Sequence, residues 1–257
     1  MKIINVKNYE GIKEKLGEYP NSSACKYYYR GLRYDYSLLP SIYYEDVSKI
    51  LASPQIIRKY EANLLNGFYH VLKERYNLTP FNINDWNLWF IARHFGLKSR
   101  LIDFSKEITV ALQFAFEMSN KCPARLYCLN SDSVKHLIQN DFNETPFSLN
   151  MPSFIQPSLQ HKNIIENLGT SRPFIQSSIF FYQNIETLQT PLTEQYNEIE
   201  WLVFEIRAED FEKIKKEISL ETGYCMNKPL LIRNHSLDEN CSLLNKSCLS
   251  NLVTHYI

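Results

Sequence analysis

The stretch Cys25–Arg33, "CKYYYRGLR", holds the most suggestive chemistry, because a run of tyrosines leads an arginine directly into a glycine. Aromatic residues favour strands, and alternation along a strand places Tyr28 and Arg30 on one face. A guanidinium in that position can hold a phosphate or carboxylate through two hydrogen bonds, and Gly31 would let a ligand approach the backbone closely. The alternative is that Arg30 leaves the edge of a sheet and is solvated.

A second concentration of polar residues lies in 92–116, "ARHFGLKSRLIDFSKEITVALQFAF". The pattern predicts a helix end, a short buried strand and the start of another helix. In the functional interpretation His94, Arg100, Asp103 and Ser105 contact a ligand. Ser105 opens an anion-binding nest of backbone amides, and Asp103 orients Arg100 or a ligand hydroxyl. In the structural alternative Arg100 and Asp103 pair, Ser105 only caps the helix and His94 is a core residue. The density of polar groups favours the first interpretation, since such groups are costly on a buried strand.

Two later segments add weaker candidates. Gln176 precedes the aromatic strand predicted at 178–182, so its amide can meet either a ligand or neighbouring backbone. Glu198 and Glu200 share a face just before the strand predicted at 201–206. Carboxylates in such positions are mostly solvated, and they can also serve as acid–base groups.

Composition excludes several classes of function. Lysine plus arginine and aspartate plus glutamate both number 28, so the net charge is zero, which argues against a general nucleic-acid or anionic-membrane binder. The chain has no GxGxxG, GxxxxGK[ST] or HExxH motif, so neither a dinucleotide fold, a P-loop nor a metal site is expected. No run approaches the roughly 18 apolar residues of a membrane span. The six cysteines lack a CxxC spacing and suggest reduced thiols in the cytoplasm.

The order of the predicted strands and helices indicates the fold class. Strands and helices occur without strict βαβ alternation, which predicts an α+β protein built around a central antiparallel or mixed sheet. We expect a single domain over residues 1–223, with 224–257 as a C-terminal extension packed on it. The irregular segment 141–171 is long for a loop in a compact domain and is a candidate lid. The predicted helices begin at Pro54, at a cap on Asn84, after Ser105 and at 209, and the tail beyond 224 shows no clear period.

Four motifs in order, "YRGL…LLPSI", "YEANLLNGF", "RHFGLKSRLIDFSKEITVALQFA" and "RPFIQSSIFF", resemble the signatures of the FRG domain family over residues 25–210. Members of that family are mostly bacterial and phage-encoded proteins without an assigned activity. The sequence departs from the family pattern at several positions: Tyr29 replaces Phe, Arg93 replaces Gln, Lys98-Ser99 replaces Pro-Thr, Phe104-Ser105 replaces Trp-Thr, and Ser178 replaces Gly. Because Lys98 stands where the family has a proline and Ser178 where it has a glycine, the backbone conformation at these two positions can differ from that of the family.

The same residues more distantly resemble the Arg–Ser–Glu type of ADP-ribosyltransferase, which implies a split central sheet and NAD as substrate without a metal. By this resemblance Arg30 holds the NAD phosphates, and Ser105 or Asp103 takes the hydroxyl position at the nicotinamide ribose. Gln176 falls where the late glutamate is expected, with Glu198 or Glu200 as substitutes. A neutral glutamine can hold a hydroxyl but cannot stabilise developing positive charge as a carboxylate does.

The expectation is therefore an NAD-consuming transferase or NAD glycohydrolase, in a toxin, effector or phage-defence setting, with Arg30, Gln176 and Glu200 as catalytic residues. The residues expected to bind NAD are Arg30, Gly31, His94, Arg100, Asp103 and Ser105. The acceptor would be a protein or a nucleic acid. The alternative is a non-catalytic module that binds a nucleotide, a nucleic acid or a partner protein in the same pocket.

Overall fold

One mixed sheet organises the molecule. The structure, a computed structural model, describes residues 2–17, 27–43, 53–76, 84–119, 121–139, 146, 153–155, 178–196, 199–226 and 235–256. Within these residues the strands are β1 (Lys2–Val6), β2 (Tyr27–Arg33), β3 (Leu101–Ser105), β4 (Ala124–Asn130), β5 (Ile138–Gln139), β6 (Ser153–Ile155), β7 (Ser178–Tyr182) and β8 (Trp201–Ile206). Their order in the sheet is β1-β8-β4-β2-β3-β7-β6-β5. The β1–β8 and β5–β6 pairs are parallel and the others are antiparallel.

Helices cover the sheet, which confirms the predicted α+β class. They are α1 (Tyr9–Gly17), α2 (Pro54–Tyr76), α3 (Trp86–His94), α4 (Ile108–Ser119), α5 (Leu192–Gln195), α6 (Phe211–Thr222) and α7 (His235–Tyr256). Short 3-10 turns occupy Asp132–Leu137, Ile185–Thr187 and Ala208–Asp210. None of the described helices combines the length and apolar character that a membrane crossing requires.

The buried apolar residues form three clusters that follow the halves and faces of the sheet. Helices α1, α4 and α6 pack on β2, β4 and β8. On the other half, α2, α3 and α7 pack against β3 and β7, with Phe90 of α3 stacked on Phe180 of β7 at 5.0 Å between ring centroids. A third cluster, which includes Tyr28, Phe154 and Phe181, lies on the strand side chains that alternate with those of the first two. The two helix groups therefore meet above the boundary between β2 and β3.

The sheet opens at that same boundary. β2 pairs with β4 along all of Tyr27–Arg33 and β3 pairs with β7 along all of Leu101–Ser105, but β2 and β3 are joined only where Tyr29 faces Ser105. Beyond that point the two strands diverge, so backbone groups of β3 need partners from outside the ladder.

Helix α4 lies very close to β2, and Gly31 makes this approach possible. A Cβ atom built at Gly31 would lie 1.8 Å from the carbonyl oxygen of Ala111 and 2.8 Å from the Cβ of Ala115. The backbone that comes close to Gly31 is thus that of a helix, and Gly31 also lines the cleft described below. The glycine after the arginine is required by packing.

Two local expectations need correction, and a third falls mostly outside the described residues. Helix α3 is capped by Asp85, whose carboxylate accepts the Asn87 N–H at 2.8 Å, and not by Asn84. The tail without clear periodicity forms the 22-residue helix α7. The proposed lid, residues 141–171, lies outside the described residues apart from Pro146 and Ser153–Ile155.

Candidate functional site

A cleft of about 470 Å³ occupies the opening between β2 and β3. Its walls come from the end of α3, from α4 and from α7, so both helix groups contribute. The residues on the strands are Tyr29, Arg30, Gly31, Asp103, Phe104, Ser105 and Ser178, and those on the walls are Arg93, His94, Phe95, Gly96, Ala111, Phe114, Met118, Asp238, Ser242 and Asn245.

Two arginines converge on one carboxylate at the floor of the cleft. Nη1 of Arg30 donates to Oδ2 of Asp103 at 3.1 Å and to the backbone carbonyl oxygen of Asp103 at 2.9 Å. Nη2 of Arg93, at the end of α3, donates to the same Oδ2 at 2.6 Å. Position 93 is one where the sequence departs from the family motif, and it was not recognised as a candidate.

The open ladder explains why Arg30 lies where it does. The carbonyl of Asp103 is beyond the single β2–β3 pairing. The guanidinium of Arg30 reaches across the opening between the strands and donates a hydrogen bond to this carbonyl. The arginine therefore belongs to the opening of the sheet and is not an edge residue pointing to solvent.

The electrostatics of this group favour an anion. Burial alone would raise the pKa of the Asp103 carboxyl, but Arg93, Arg30 and His94 together hold that pKa below its usual value. Asp103 is therefore ionised at neutral pH, and with two guanidinium groups against one carboxylate the floor of the cleft keeps one positive charge. Planar guanidinium groups suit the oxygens of a phosphate or carboxylate.

The other predicted residues in this region also reach the cleft. His94 is buried at the end of α3, with its ring edge-on to Phe180 at 5.6 Å. Ser105 faces Ser178 across the β3–β7 pair, and its hydroxyl accepts the Glu107 N–H at 2.9 Å, so it caps the turn into α4. Both serines line the cleft.

Arg100, in contrast, lies outside the cleft. Its side chain is buried against Glu61 of α2, with Nε donating to Oε2 at 2.7 Å, and its guanidinium lies over the ring of Tyr182 at 4.5 Å. The hypotheses that Arg100 pairs with Asp103 and contacts a ligand are wrong, because Glu61 and the rings enclose it. Glu61 was missed, although it stands on the apolar stripe that includes Leu64, where a carboxylate needs a buried partner.

The late carboxylate candidates are not gathered at the cleft. Glu200 is exposed just before β8, and β4 and β2 separate that strand from β3. Glu198 and Gln176 lie outside the described residues, and Gln176 stands two positions before Ser178, which lines the cleft.

The side chain of Asn245 anchors helix α7 beside the cleft. Oδ1 of Asn245 accepts the backbone N–H of Lys98 at 3.1 Å, and Nδ2 donates to the carbonyl of Gly96 at 3.1 Å. The proline that the family motif has at position 98 could not donate this bond. Any residue other than proline at position 98 keeps this backbone donor for Asn245.

No group of three or more histidine, cysteine, aspartate or glutamate side chains that could hold a metal occurs in the part of the chain that the structure describes. The site is thus a cleft in the opening of an α+β sheet, with two arginines and one aspartate at its floor and a second aspartate, Asp238, on the α7 wall. The model of the FRG domain family matches residues 25–123, the segment that contains Arg30, Arg93, His94, Asp103 and Ser105. A search of curated proteins and a search of solved structures found no match.

Proposed function

We propose that the cleft binds a phosphate-bearing nucleotide and that the protein consumes NAD, releasing nicotinamide by ADP-ribosyl transfer or by hydrolysis. The observation that supports this most strongly is the convergence of Arg30 and Arg93 on Asp103 in the opening of the sheet. The cleft volume of about 470 Å³ falls within the usual range of small-molecule sites.

In this proposal the phosphates of NAD bind at the floor of the cleft. A diphosphate accepts hydrogen bonds from Arg30 and Arg93 and adds negative charge where the protein has one net positive charge. Asp103 fixes the orientation of both guanidinium groups before the ligand arrives, which lowers the ordering cost of binding. The hydroxyls of Ser105 and Ser178 then lie where they can hold the ribose.

The reaction breaks the bond between the anomeric carbon and the nicotinamide nitrogen, and the nitrogen keeps the bonding electron pair. The oxygen of water, or a nucleophile of an acceptor protein or nucleic acid, forms the new bond to that carbon and loses a proton. Gln176 would hold the ribose hydroxyl by its amide. Because a glutamine has no charge with which to stabilise the cationic transition state, we expect slow turnover.

One observation favours the second candidate, a non-catalytic nucleotide-binding module. Among the described residues that line the cleft, the carboxylates are Asp103, which two arginines hold, and Asp238 on α7. A glycosyl-transfer site of the kind proposed ordinarily needs a carboxylate near the anomeric carbon. The wider setting that we propose, a toxin, effector or phage-defence protein in a bacterial cytoplasm, rests on the family resemblance.

The test is incubation with NAD labelled in both the nicotinamide and adenine parts, followed by measurement of free nicotinamide and of label on protein and nucleic acid. The wild type is compared with Arg30→Ala and Gln176→Ala. Arg33→Ala is the matched control, since Arg33 is on the same strand but pairs with Asp35 outside the cleft.

We expect nicotinamide release by the wild type and by Arg33→Ala, and its loss in Arg30→Ala. An NAD-dependent rise in melting temperature without turnover would select the binding module. The absence of both turnover and thermal shift would contradict both candidates.

A further inference from the structure

We infer that α7 forms a second subsite of the cleft, in which Asp238 accepts hydrogen bonds from the hydroxyls of the adenosine ribose, the second ribose of a ligand whose phosphates lie at Arg30 and Arg93. This inference rests on the proposed nucleotide binding and adds a specificity-determining residue to it. α7 lies outside the segment 25–123 that matches the FRG domain family, so the subsite would be a feature of this chain added to the shared part.

The spacing of residues along α7 separates a core stripe from a cleft stripe. Cys241 is buried in the core cluster of α2 and α3, and Leu244 and Cys248 pack against the same cluster. The cleft-lining residues Asp238 and Ser242 are four positions apart and therefore share one side of the helix. The helix thus faces the core with one stripe and the cleft with the neighbouring one.

The rotation of α7 about its own axis is fixed, so the cleft stripe has a defined position. Asn245 lies three positions after Ser242 and binds the backbone of Gly96 and Lys98 through both ends of its amide. Its own carbonyl accepts the hydroxyl of Tyr60 at 3.4 Å. The side chain of Leu244 packs against Gly67 of α2. A Cβ atom built at Gly67 would lie 2.5 Å from Cδ2 of Leu244, so a larger residue at position 67 would clash with it.

The walls of the cleft differ in polarity and charge, and this difference favours one orientation of a bound ligand. The α4 wall carries the apolar side chains of Phe114 and Met118, four positions apart, which suit the flat surface of a base. The floor carries the two arginines. The α7 wall carries the carboxylate of Asp238 and the hydroxyl of Ser242.

A carboxylate only accepts hydrogen bonds, and it repels phosphate, so Asp238 cannot serve the same part of the ligand as Arg30 and Arg93. The groups on a nucleotide that donate are the ribose hydroxyls and the base amines. Since the α4 wall is apolar and suits the base, we assign the hydroxyls of the adenosine ribose to Asp238, with Ser242 beside them.

Calorimetric titration at constant ionic strength tests this assignment with two probes, ADP-ribose and inorganic pyrophosphate. The variant Asp238→Asn keeps the shape of the side chain and removes its charge. Glu239→Gln is the matched control, because it removes one negative charge from the same turn of α7 at an exposed residue outside the cleft lining. Ser242→Ala is a second variant that leaves the charge of the helix unchanged.

We expect Asp238→Asn to weaken ADP-ribose binding about tenfold, the loss typical of a hydrogen bond to a charged group. Pyrophosphate affinity should stay within about twofold of wild type, and Glu239→Gln should leave both ligands unaffected. Ser242→Ala should weaken ADP-ribose alone, by a smaller factor of about three to five, as for a neutral hydrogen bond.

Two results would overturn the subsite while the proposed nucleotide binding stands. One is wild-type affinity of Asp238→Asn and Ser242→Ala for ADP-ribose. The other is an equal change for ADP-ribose and pyrophosphate in Asp238→Asn, which would show only a long-range charge effect. If the wild type binds neither probe, the proposed function and the subsite both fail.

Discussion

One arginine–carboxylate group lies just before β3 and another within it, and the two differ in burial and in charge balance. Arg100, just before β3, pairs with Glu61, and the side chains are 3% and 1% exposed. Asp103, within β3, binds Arg30 and Arg93, with exposures of 27%, 22% and 14%. The first pair is enclosed by aromatic rings and the second opens into the cleft.

The two groups also differ in their balance of charge. The buried pair balances one charge with one charge, and burial raises the pKa of Glu61 even with Arg100 beside it. The cleft group has two cations for one anion, and those cations, outweighing burial, lower the pKa of Asp103. A buried and balanced pair offers no place for a ligand, whereas an open group with excess charge does.

The largest effect should come from breaking the buried pair. Glu61→Gln leaves the guanidinium of Arg100 buried without a countercharge, so we expect a loss of about 3–5 kcal/mol in the free energy of unfolding. Denaturant unfolding followed by circular dichroism measures it. The control is Glu74→Gln on the exposed face of the same helix, expected within about 0.5 kcal/mol of wild type. A loss below about 1 kcal/mol for Glu61→Gln would show that the pair is not the structural element described here.

The cleft group should contribute less to stability. Asp103→Asn removes the charge between two guanidinium groups, but water reaches all three side chains and screens the repulsion that remains. We expect a loss of about 1–2 kcal/mol by the same unfolding measurement. If the loss equals that of Glu61→Gln, the contrast between a structural and an open group is wrong.

The pH dependence of stability should identify Asp103 as an ionised group. Its folded pKa is lowered, so its contribution is present above the unfolded pKa of about 3.9 and is lost as pH falls through the lower folded value. The difference in unfolding free energy between wild type and Asp103→Asn should therefore be constant from pH 7 to about 5 and shrink below about 4. A difference that already shrinks between pH 7 and 5 would contradict the lowered pKa.

The smallest effect concerns the wall that α7 adds to the open group. Asn245→Ala removes two hydrogen bonds to the backbone of Gly96 and Lys98, and partial access of water limits the loss to about 1 kcal/mol. Leu243→Ala, at an exposed position of α7, is the control and should leave the unfolding free energy nearly unchanged. Equal effects of the two substitutions would indicate that Asn245 does not hold the helix in place.

The sequence predicted the open group better than the buried one, for a physical reason. Arg30, His94, Asp103 and Ser105 stand on elements with clear strand and helix signals, and their polar character on buried strands marks them. The partner of Arg100 was not predictable from its neighbours, because Glu61 lies 39 residues away on a helix whose packing against β3 no local pattern encodes.

Helix α7 and the opening of the sheet show the same limit. The residues of α7 carry little apolar periodicity. The position of the helix depends instead on specific contacts, such as the hydrogen bonds of Asn245 and the packing of the buried Cys241 side chain. The single pairing between β2 and β3 and the close approach of α4 to Gly31 are both tertiary contacts, which no local pattern encodes. The resemblance to split-sheet enzymes suggested such an opening, but the residues alone did not.

The most direct test of the central claim is the change in melting temperature and the calorimetric affinity for NAD in Arg30→Gln and Arg33→Gln. Both substitutions remove one positive charge from β2, but only Arg30 reaches Asp103 in the cleft. We expect the wild type and Arg33→Gln to bind NAD alike, and Arg30→Gln to lose at least about tenfold in affinity. Equal affinities of the two variants would contradict the claim that the opening between β2 and β3 is the ligand site.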